Sequence, residues 1–309
     1  MPSHSILTVS VLSVFSAFVL TACNDSGDSD SRPARSATLD FRAAVGSEAA
    51  ECGKTYSGVG SGVRDQLKLT DFRVYLSDVE LRKADGSKVP VTLDQDGKWQ
   101  YQNVALLDFE NGCGSGTPDT NTSVKGAVAA GDYTGVCFKI GVPFALNHLN
   151  DATAPSPLNA SGMLWAWSSG RKFIRVDGRG DPDGLNAGWN LHLGSTGCVA
   201  ANAQTAPSLE CANSNLPQVC VDLALPETVQ NGATVIRGAK KIVFDIKDVL
   251  AGTDVSVNTP NTSPGCMSAL NDPECIEIMP RLGLNFPYKD GTGVQQLYPA
   301  QTQALVRVE

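Results

Sequence analysis

The sequence predicts an all-β fold, an antiparallel β-sandwich with long disulfide-tied loops, on three observations. Short runs in which β-branched and aromatic residues alternate with polar ones recur along most of the chain, separated by Gly, Pro, Asn and Asp. Helical periodicity is scarce, confined to short pieces near Ser77 and from Asp245 to Ala251. An even set of cysteines follows an export-type N-terminus, the composition of a fold whose loops are stapled in an oxidising compartment.

In chain order, the first element is an apolar run from Ile6 to Ala22, too short to span a bilayer and followed by Cys23. Leu20, Thr21, Ala22 and Cys23 match the bacterial lipobox. Residues 1–22 therefore read as a lipoprotein signal peptide and Cys23 as the lipidated N-terminus, although the leader has only His4 where Lys or Arg is usual. Residues 23–37 are polar, rich in Ser and Asp and free of aromatics, so they cannot bury apolar surface and read as a flexible tether. One domain, 38–309, follows without an obvious linker.

Within it the expected strands are Thr38 to Val45, Leu67 to Arg82, Val89 to Leu93, Trp99 to Asp108, Tyr133 to Val142, Met163 to Ala166, Lys172 to Val176, Gly188 to Leu193, Val219 to Ala224, Lys240 to Lys247 and Ala304 to Val308. Ala84-Asp85-Gly86 and Gln95-Asp96-Gly97 supply turns that would join the second, third and fourth as a meander.

Cys23 apart, eight of the nine cysteines remain. They allow on the order of 100 pairings, among which sequence does not choose rigorously. Cys198 with Cys211 and Cys266 with Cys275 are preferred because each closes a short Ser/Asn/Pro-rich loop. Cys137 and Cys220 lie in strand-like runs suited to a link between adjacent strands, which leaves Cys52 for Cys113. No CxxC pair suggests a zinc knuckle or a thioredoxin-like centre.

Several function classes are poorly served. The formal net charge is -8 with no Lys/Arg cluster, which argues against nucleic acid and against an anionic membrane surface, leaving the lipid as the membrane contact. The GSTG of Gly194 to Gly197 is not a nucleophile elbow, no GxGxxG or Walker pattern opens a helix, and CxxCH is absent. With no acid–base constellation, an enzyme is not expected. Asp177, Asp181 and Asp183 resemble an oxygen-ligand calcium loop only superficially and read as a solvated acidic turn.

Chemistry concentrates between Gly141 and Cys198, which holds both histidines outside the leader, His148 and His192, and Trp165, Trp167 and Trp189. Two imidazoles and a tryptophan pair in one segment suit a soft-metal site, since neutral imidazole ligates transition metals near neutral pH. The bland alternative is structural histidines and core aromatics. Period-2 alternation puts Trp165 and Trp167 on one strand face together with Met163, whose thioether is a further soft contact or a core filler.

The runs FRVYLSD (Phe72 to Asp78), VALLDFE (Val104 to Glu110), GVPFALNH (Gly141 to His148), PLN (Pro157 to Asn159), MLWAWSSGRKF (Met163 to Phe173) and HLGSTGC (His192 to Cys198) resemble, in order, the periplasmic metallo-mystery pair four-Cys family, whose best-studied type is the copper protein encoded beside methanobactin genes. The resemblance implies copper held by His148, His192 and a kynurenine made from Trp167 or Trp165. It also implies a partner, a di-haem cytochrome c peroxidase-like protein that oxidises the tryptophan, and a periplasmic location. The competing reading is a surface lipoprotein that binds a glycan or a protein on its aromatics, without metal.

The leader yields one expected outcome. Intact mass of the mature chain from a lipoprotein-processing host should give Cys23 as the first residue, carrying acyl groups; any other N-terminus, or an unacylated mass, removes the anchor.

Overall fold

The computed structural model describes residues 1, 32–62, 64–113, 116–180 and 188–309; the expected signal peptide, Cys23, most of the tether, and Asp181 and Asp183 lie outside them. The fold is an all-β sandwich of an eight-stranded and a ten-stranded sheet, with a separate two-stranded hairpin. The elements that place the functional segment are β1 (Ala34–Val45), β2 (Gln66–Arg82), β3 (Val104–Asp108), β4 (Ser123–Ala129), β5 (Tyr133–Ile140), α1 (Phe144–Asn147), β6 (Ile174–Arg179), β7 (Trp189–Leu193), β8 (Gln218–Leu225), β9 (Ala233–Arg237), β10 (Ile242–Asp245), α2 (Lys247–Leu250) and α3 (Cys275–Arg281).

In the larger sheet β2 is central, flanked by β5 and then β8 on one side and by β6 and then β7 on the other. In the smaller sheet β1 pairs with β4 antiparallel but with β9 and β10 in parallel, so the pairing is not antiparallel throughout. The two sheets meet over an aromatic cluster. Phe41 and Phe244 from the smaller sheet face Phe138 from the larger, with ring centroids 6.1 and 6.2 Å from it, and Phe109 continues the stack to Phe72. Rings of this size supply much of the apolar area that drives sandwich closure.

Two irregularities decide what β2 shows to each side. The β2–β6 register shifts between Asp177 and Gly178, and the β2–β5 register shifts beside Asp78, which adopts a positive φ of 51°. Between these bulges Phe72, Val74 and Leu76 are one alternate set and Asp71, Arg73, Tyr75 and Ser77 the other, all of them buried. Both faces are thus covered, the polar one by the long connection from α1 to β6. The helical piece expected near Ser77 is this bulged strand; the one expected at Asp245 to Ala251 is α2.

Other elements differ from expectation for local reasons. Val89 to Leu93 is split, Lys88–Pro90 pairing with β2 and Thr92–Leu93 with β4, because the chain crosses between sheets after Pro90, which has no N–H to continue a ladder. The meander therefore stops at its first turn. Trp99 to Asp108 is a small hairpin, Gln100–Tyr101 against β3, with Gln102 at a φ of 51°. β1 begins at Ala34, ahead of Thr38, and β4 and α3 were not expected at all. Met163 to Ala166 is not a strand.

All four disulfides join the preferred partners: Cys52–Cys113, Cys137–Cys220, Cys198–Cys211 and Cys266–Cys275. Cys137 and Cys220 lie directly opposite each other on β5 and β8. No helix among the described residues is long and apolar enough to cross a membrane.

Phe244 touches three other rings, Phe41 in its own sheet and Phe109 and Phe138 across the sheet interface. Replacing it by Ala should lower the unfolding free energy by about 3–5 kcal/mol, read from urea denaturation. A loss below about 1 kcal/mol would mean that the aromatic cluster does not hold the sheets together.

Candidate metal centre

His148 is set by the end of β5. After Ile140 the chain turns at Gly141 and Pro143 starts the four-residue helix α1, which His148 terminates. A single turn is not stable by itself, because the cost of nucleation exceeds the return from so few hydrogen bonds. Arg171 supplies the missing partners. Its side chain is fully buried and its guanidinium donates to the carbonyls of Leu146, Asn147, Leu149 and Leu158. Its backbone N–H donates to Asn147 Oδ1 at 2.8 Å.

Arg171 also closes the tryptophan loop through a bridge to Leu164. Trp165 and Trp167 are therefore on a turn rather than on one face of a strand, and each meets a different histidine. Trp167 Nε1 donates to the His148 carbonyl at 2.7 Å, while its own carbonyl accepts from His148 Nδ1 at 3.2 Å. The Trp165 ring lies 6.4 Å from the His192 ring. Gly194 permits this approach, since a Cβ there would stand 2.3 Å from the Trp165 ring. Gly170, at a φ of 77°, similarly leaves room for the Asn147 amide.

His192 comes from β7, opposite Arg175 on β6. Alternation sends Trp189, Leu191 and Leu193 to the apolar core and Asn190 and His192 to the polar face of the sheet. There His192 Nε2 bonds Asp177 Oδ1 at 2.5 Å, and Arg175 Nε donates to Asp177 Oδ2 at 2.8 Å. Asp71 joins next, 3.3 Å from Arg175 Nε and bonded by Arg73 through two nitrogens. Asp177 is thus a buried-face partner of His192, which corrects its expected place in a solvated acidic turn.

Both imidazoles carry one held nitrogen and one lone pair. On His148 the Trp167 carbonyl can only accept, so Nδ1 carries the proton and Nε2 is the acceptor, facing Asn147 Nδ2 at 3.2 Å and Cys211 Sγ at 3.5 Å. On His192 the Asp177 carboxylate fixes the proton on Nε2. Its Nδ1 is buried with no hydrogen-bond partner. A carboxylate or carbonyl behind a histidine is the usual support of a metal ligand. Burial lowers both imidazole pKa values, against the Trp167 carbonyl for His148 and against Asp177 for His192, so both are neutral at neutral pH. Burial works to raise the Asp177 carboxyl, but hydrogen bonds from His192 and Arg175 outweigh it and hold the group down to about 2.

The expected residues are therefore gathered as two pairs, His148 with Trp167 and His192 with Trp165. Met163 is buried in the apolar core. Sequence reasoning missed Asn147, Arg171 and Asp177; Asn147 and Arg171 meet across 24 residues, and Asp177 and His192 across 15. Beside the loop an open cavity of about 570 Å³ is lined by Trp165, Ser195, Thr196, Cys198, Met267 and Leu270 among others.

A family model described as MbnP matches residues 34–268. The chain is similar to the solved structure of MbnP from Methylosinus trichosporium, with 30% identity, a TM-score of 0.72, and coverage of 89% of this chain and 98% of that one. No curated protein matches it.

The charged face has a measurable consequence at Asp108, which burial pushes up to about 7, with Arg73 opposing and Glu110 reinforcing. The folded chain therefore holds this proton more tightly than the unfolded one, and the resulting stabilisation, complete in acid, is lost as pH rises through about 7. Asp108→Asn should raise the unfolding free energy by roughly 2 kcal/mol at pH 8 and by almost nothing at pH 4. A loss of stability at pH 8 would show instead that the ionised carboxylate is a net stabilising partner of Arg73.

Proposed function

This chain belongs to the MbnP family, and on that premise we propose that it is a periplasmic, lipid-anchored copper-binding protein of the methanobactin-operon kind, holding one copper through His148, His192 and a kynurenine. The observation that carries this reading is the buried, unpartnered Nδ1 of His192, with the opposite ring nitrogen fixed by Asp177. A buried lone pair without a donor is costly unless something fills it. Copper suits the donor set, since imidazole binds it well and Cu(I) accepts few ligands.

The tryptophans support the kynurenine part of the reading by position. Oxidative opening of the indole adds two oxygens, and loss of the formyl carbon with one of them leaves a net gain of one oxygen and loss of one carbon, about 4 Da, and exposes an aniline nitrogen that the closed ring does not offer. In this reading the oxidation belongs to a di-haem cytochrome partner, because the chain carries no haem-attachment motif of its own. His148 and His192 supply neutral nitrogen donors, and Asp177 and the Trp167 carbonyl orient them.

The chain made alone should bind copper poorly, and the chain co-produced with its di-haem partner should bind one copper. Tandem mass spectrometry should find the gain at Trp165 or Trp167, with Trp99 and Trp189 unchanged. His148→Ala and His192→Ala should each abolish tight binding, and Asp177→Asn should weaken it by about 10–100-fold while the fold is kept. Equal affinity without the partner, or retention by both histidine variants, would favour the metal-free lipoprotein that binds a glycan or a protein.

A further inference from the structure

The Cys198–Cys211 disulfide closes the loop that follows β7 and lies against His148. Cys211 Sγ lies 3.5 Å from His148 Nε2, and the two sulfurs and the imidazole nitrogen all fall within 4.8 Å of one another. The sulfur has no proton to donate while the disulfide is closed, so this is a contact of a nitrogen lone pair with sulfur and not a hydrogen bond. Donor atoms around a three- or four-coordinate soft metal with bonds of about 2.0–2.3 Å sit roughly 3.5–4 Å apart, a spacing of the same size.

We propose that His148, Cys198 and Cys211 form a second soft-metal site, closed while the disulfide is intact and opened by a dithiol reductant. In the opening step the dithiol attacks the disulfide, two electrons pass to the protein, Cys198 and Cys211 become thiols, and the reductant leaves as its own disulfide. Cu(I) then binds the two sulfurs and His148 Nε2, displacing two protons. Thiolate is a stronger claim on Cu(I) than imidazole, so the redox state of this bridge decides whether sulfur enters the site.

The surroundings permit the change. Cys198 lines the open cavity beside Trp165, which gives a reductant its approach. Behind the bridge the chain is clamped independently of sulfur: Thr196 and Asn213 exchange backbone hydrogen bonds, Ala212 N donates to the Gly197 carbonyl, and Asn213 Nδ2 donates to Thr196 Oγ1. The two cysteines therefore stay neighbours after reduction. His148 is held from its other side by Trp167, so its Nε2 remains aimed at them. The loop that the bridge closes is otherwise exposed, with Val199 80% and Leu209 76% accessible. Among the described residues no other disulfide has an imidazole beside it.

The proposal shares His148 with the copper reading above but needs neither His192 nor a kynurenine, so the two are separable. The chain produced without its partner is reduced with dithiothreitol, desalted without oxygen, and titrated with Cu(I) against bathocuproine disulfonate. Alkylation and mass mapping report which cysteines have opened, and circular dichroism reports the fold. Wild type with Cys198 and Cys211 open should bind Cu(I) at least about tenfold tighter than the oxidised chain, with a thiolate charge-transfer band in the ultraviolet. Cys198→Ser/Cys211→Ser should lose this gain, and His148→Ala should weaken it.

A reduced wild type that binds no tighter than the double serine variant overturns the site. A gain untouched by His148→Ala overturns the part of the imidazole. If reduction unfolds wild type, limited dithiothreitol that opens only this bridge by mass mapping is used, and absence of the charge-transfer band in that folded species overturns the proposal equally. Loss of copper by the co-produced His192→Ala variant tests the earlier reading alone.

Discussion

The burial of Arg171 is the constraint on which the functional segment depends. A guanidinium cannot shed its charge, so removal from water is tolerable only if its donors are met. Among the described residues no carboxylate bonds it; its acceptors are main-chain carbonyls of Leu146, Asn147, Leu149 and Leu158. Leu146 and Asn147 are the end of α1 and Leu149 follows its cap, where carbonyls lack helical partners and carry the negative end of the helix dipole. One cation thus solves two problems, its own desolvation and the unfinished end of a helix too short to form alone. Lysine would not do this, having a single nitrogen in place of a planar fork. Because the same residue also bridges Leu164, the histidine turn and the tryptophan loop are positioned by one side chain.

A second constraint follows from the covering of both faces of the larger sheet. Once the α1-to-β6 connection lies over its outer face, every polar group there needs a partner. Tyr75, on β2, meets the Pro157 carbonyl at 2.6 Å, and Arg73 reaches the Ser161 carbonyl as well as Asp71. The charges then run across three strands as Arg73, Asp71, Arg175, Asp177 and His192. Such a ladder adds little net stability over apolar packing of similar volume, because desolvation consumes most of the attraction. Its product is orientation: His192 is held in one tautomer in a nearly dry environment.

The sequence carried the scaffold further than the site. Strand runs such as Leu67 to Arg82 and Gly188 to Leu193 were legible because alternation and flanking turn residues are local signals. The disulfides were legible because short polar loops and strand-like contexts restrict which cysteines meet. The WxW pattern misled, since aromatic alternation imitates a strand, whereas the chain turns there under the pull of Arg171. The apparent helix near Ser77 failed for a related reason, a bulge at Asp78 that breaks the period of two. Asp177, Arg171 and Asn147 had no local signature at all. Asp177 sat in an acidic run that looked solvated, and only the pairing of β6 with β7 places it beside His192.

These long-range contacts also explain why two histidines with different partners reach the same electronic state. His148 donates a hydrogen bond from Nδ1 to a carbonyl and His192 from Nε2 to a carboxylate, yet burial lowers both pKa values, so each presents a neutral lone pair. A carboxylate stands behind His192 and a carbonyl behind His148, and of the two it is His148 that lies against sulfur. The asymmetry matters because the Trp167 carbonyl that fixes His148 is part of the very loop whose tryptophans are the candidates for oxidation. A change in that loop is therefore felt by His148 directly and by His192 only through the Trp165 ring, so the orientation of the first imidazole follows the loop while that of the second is set by Asp177.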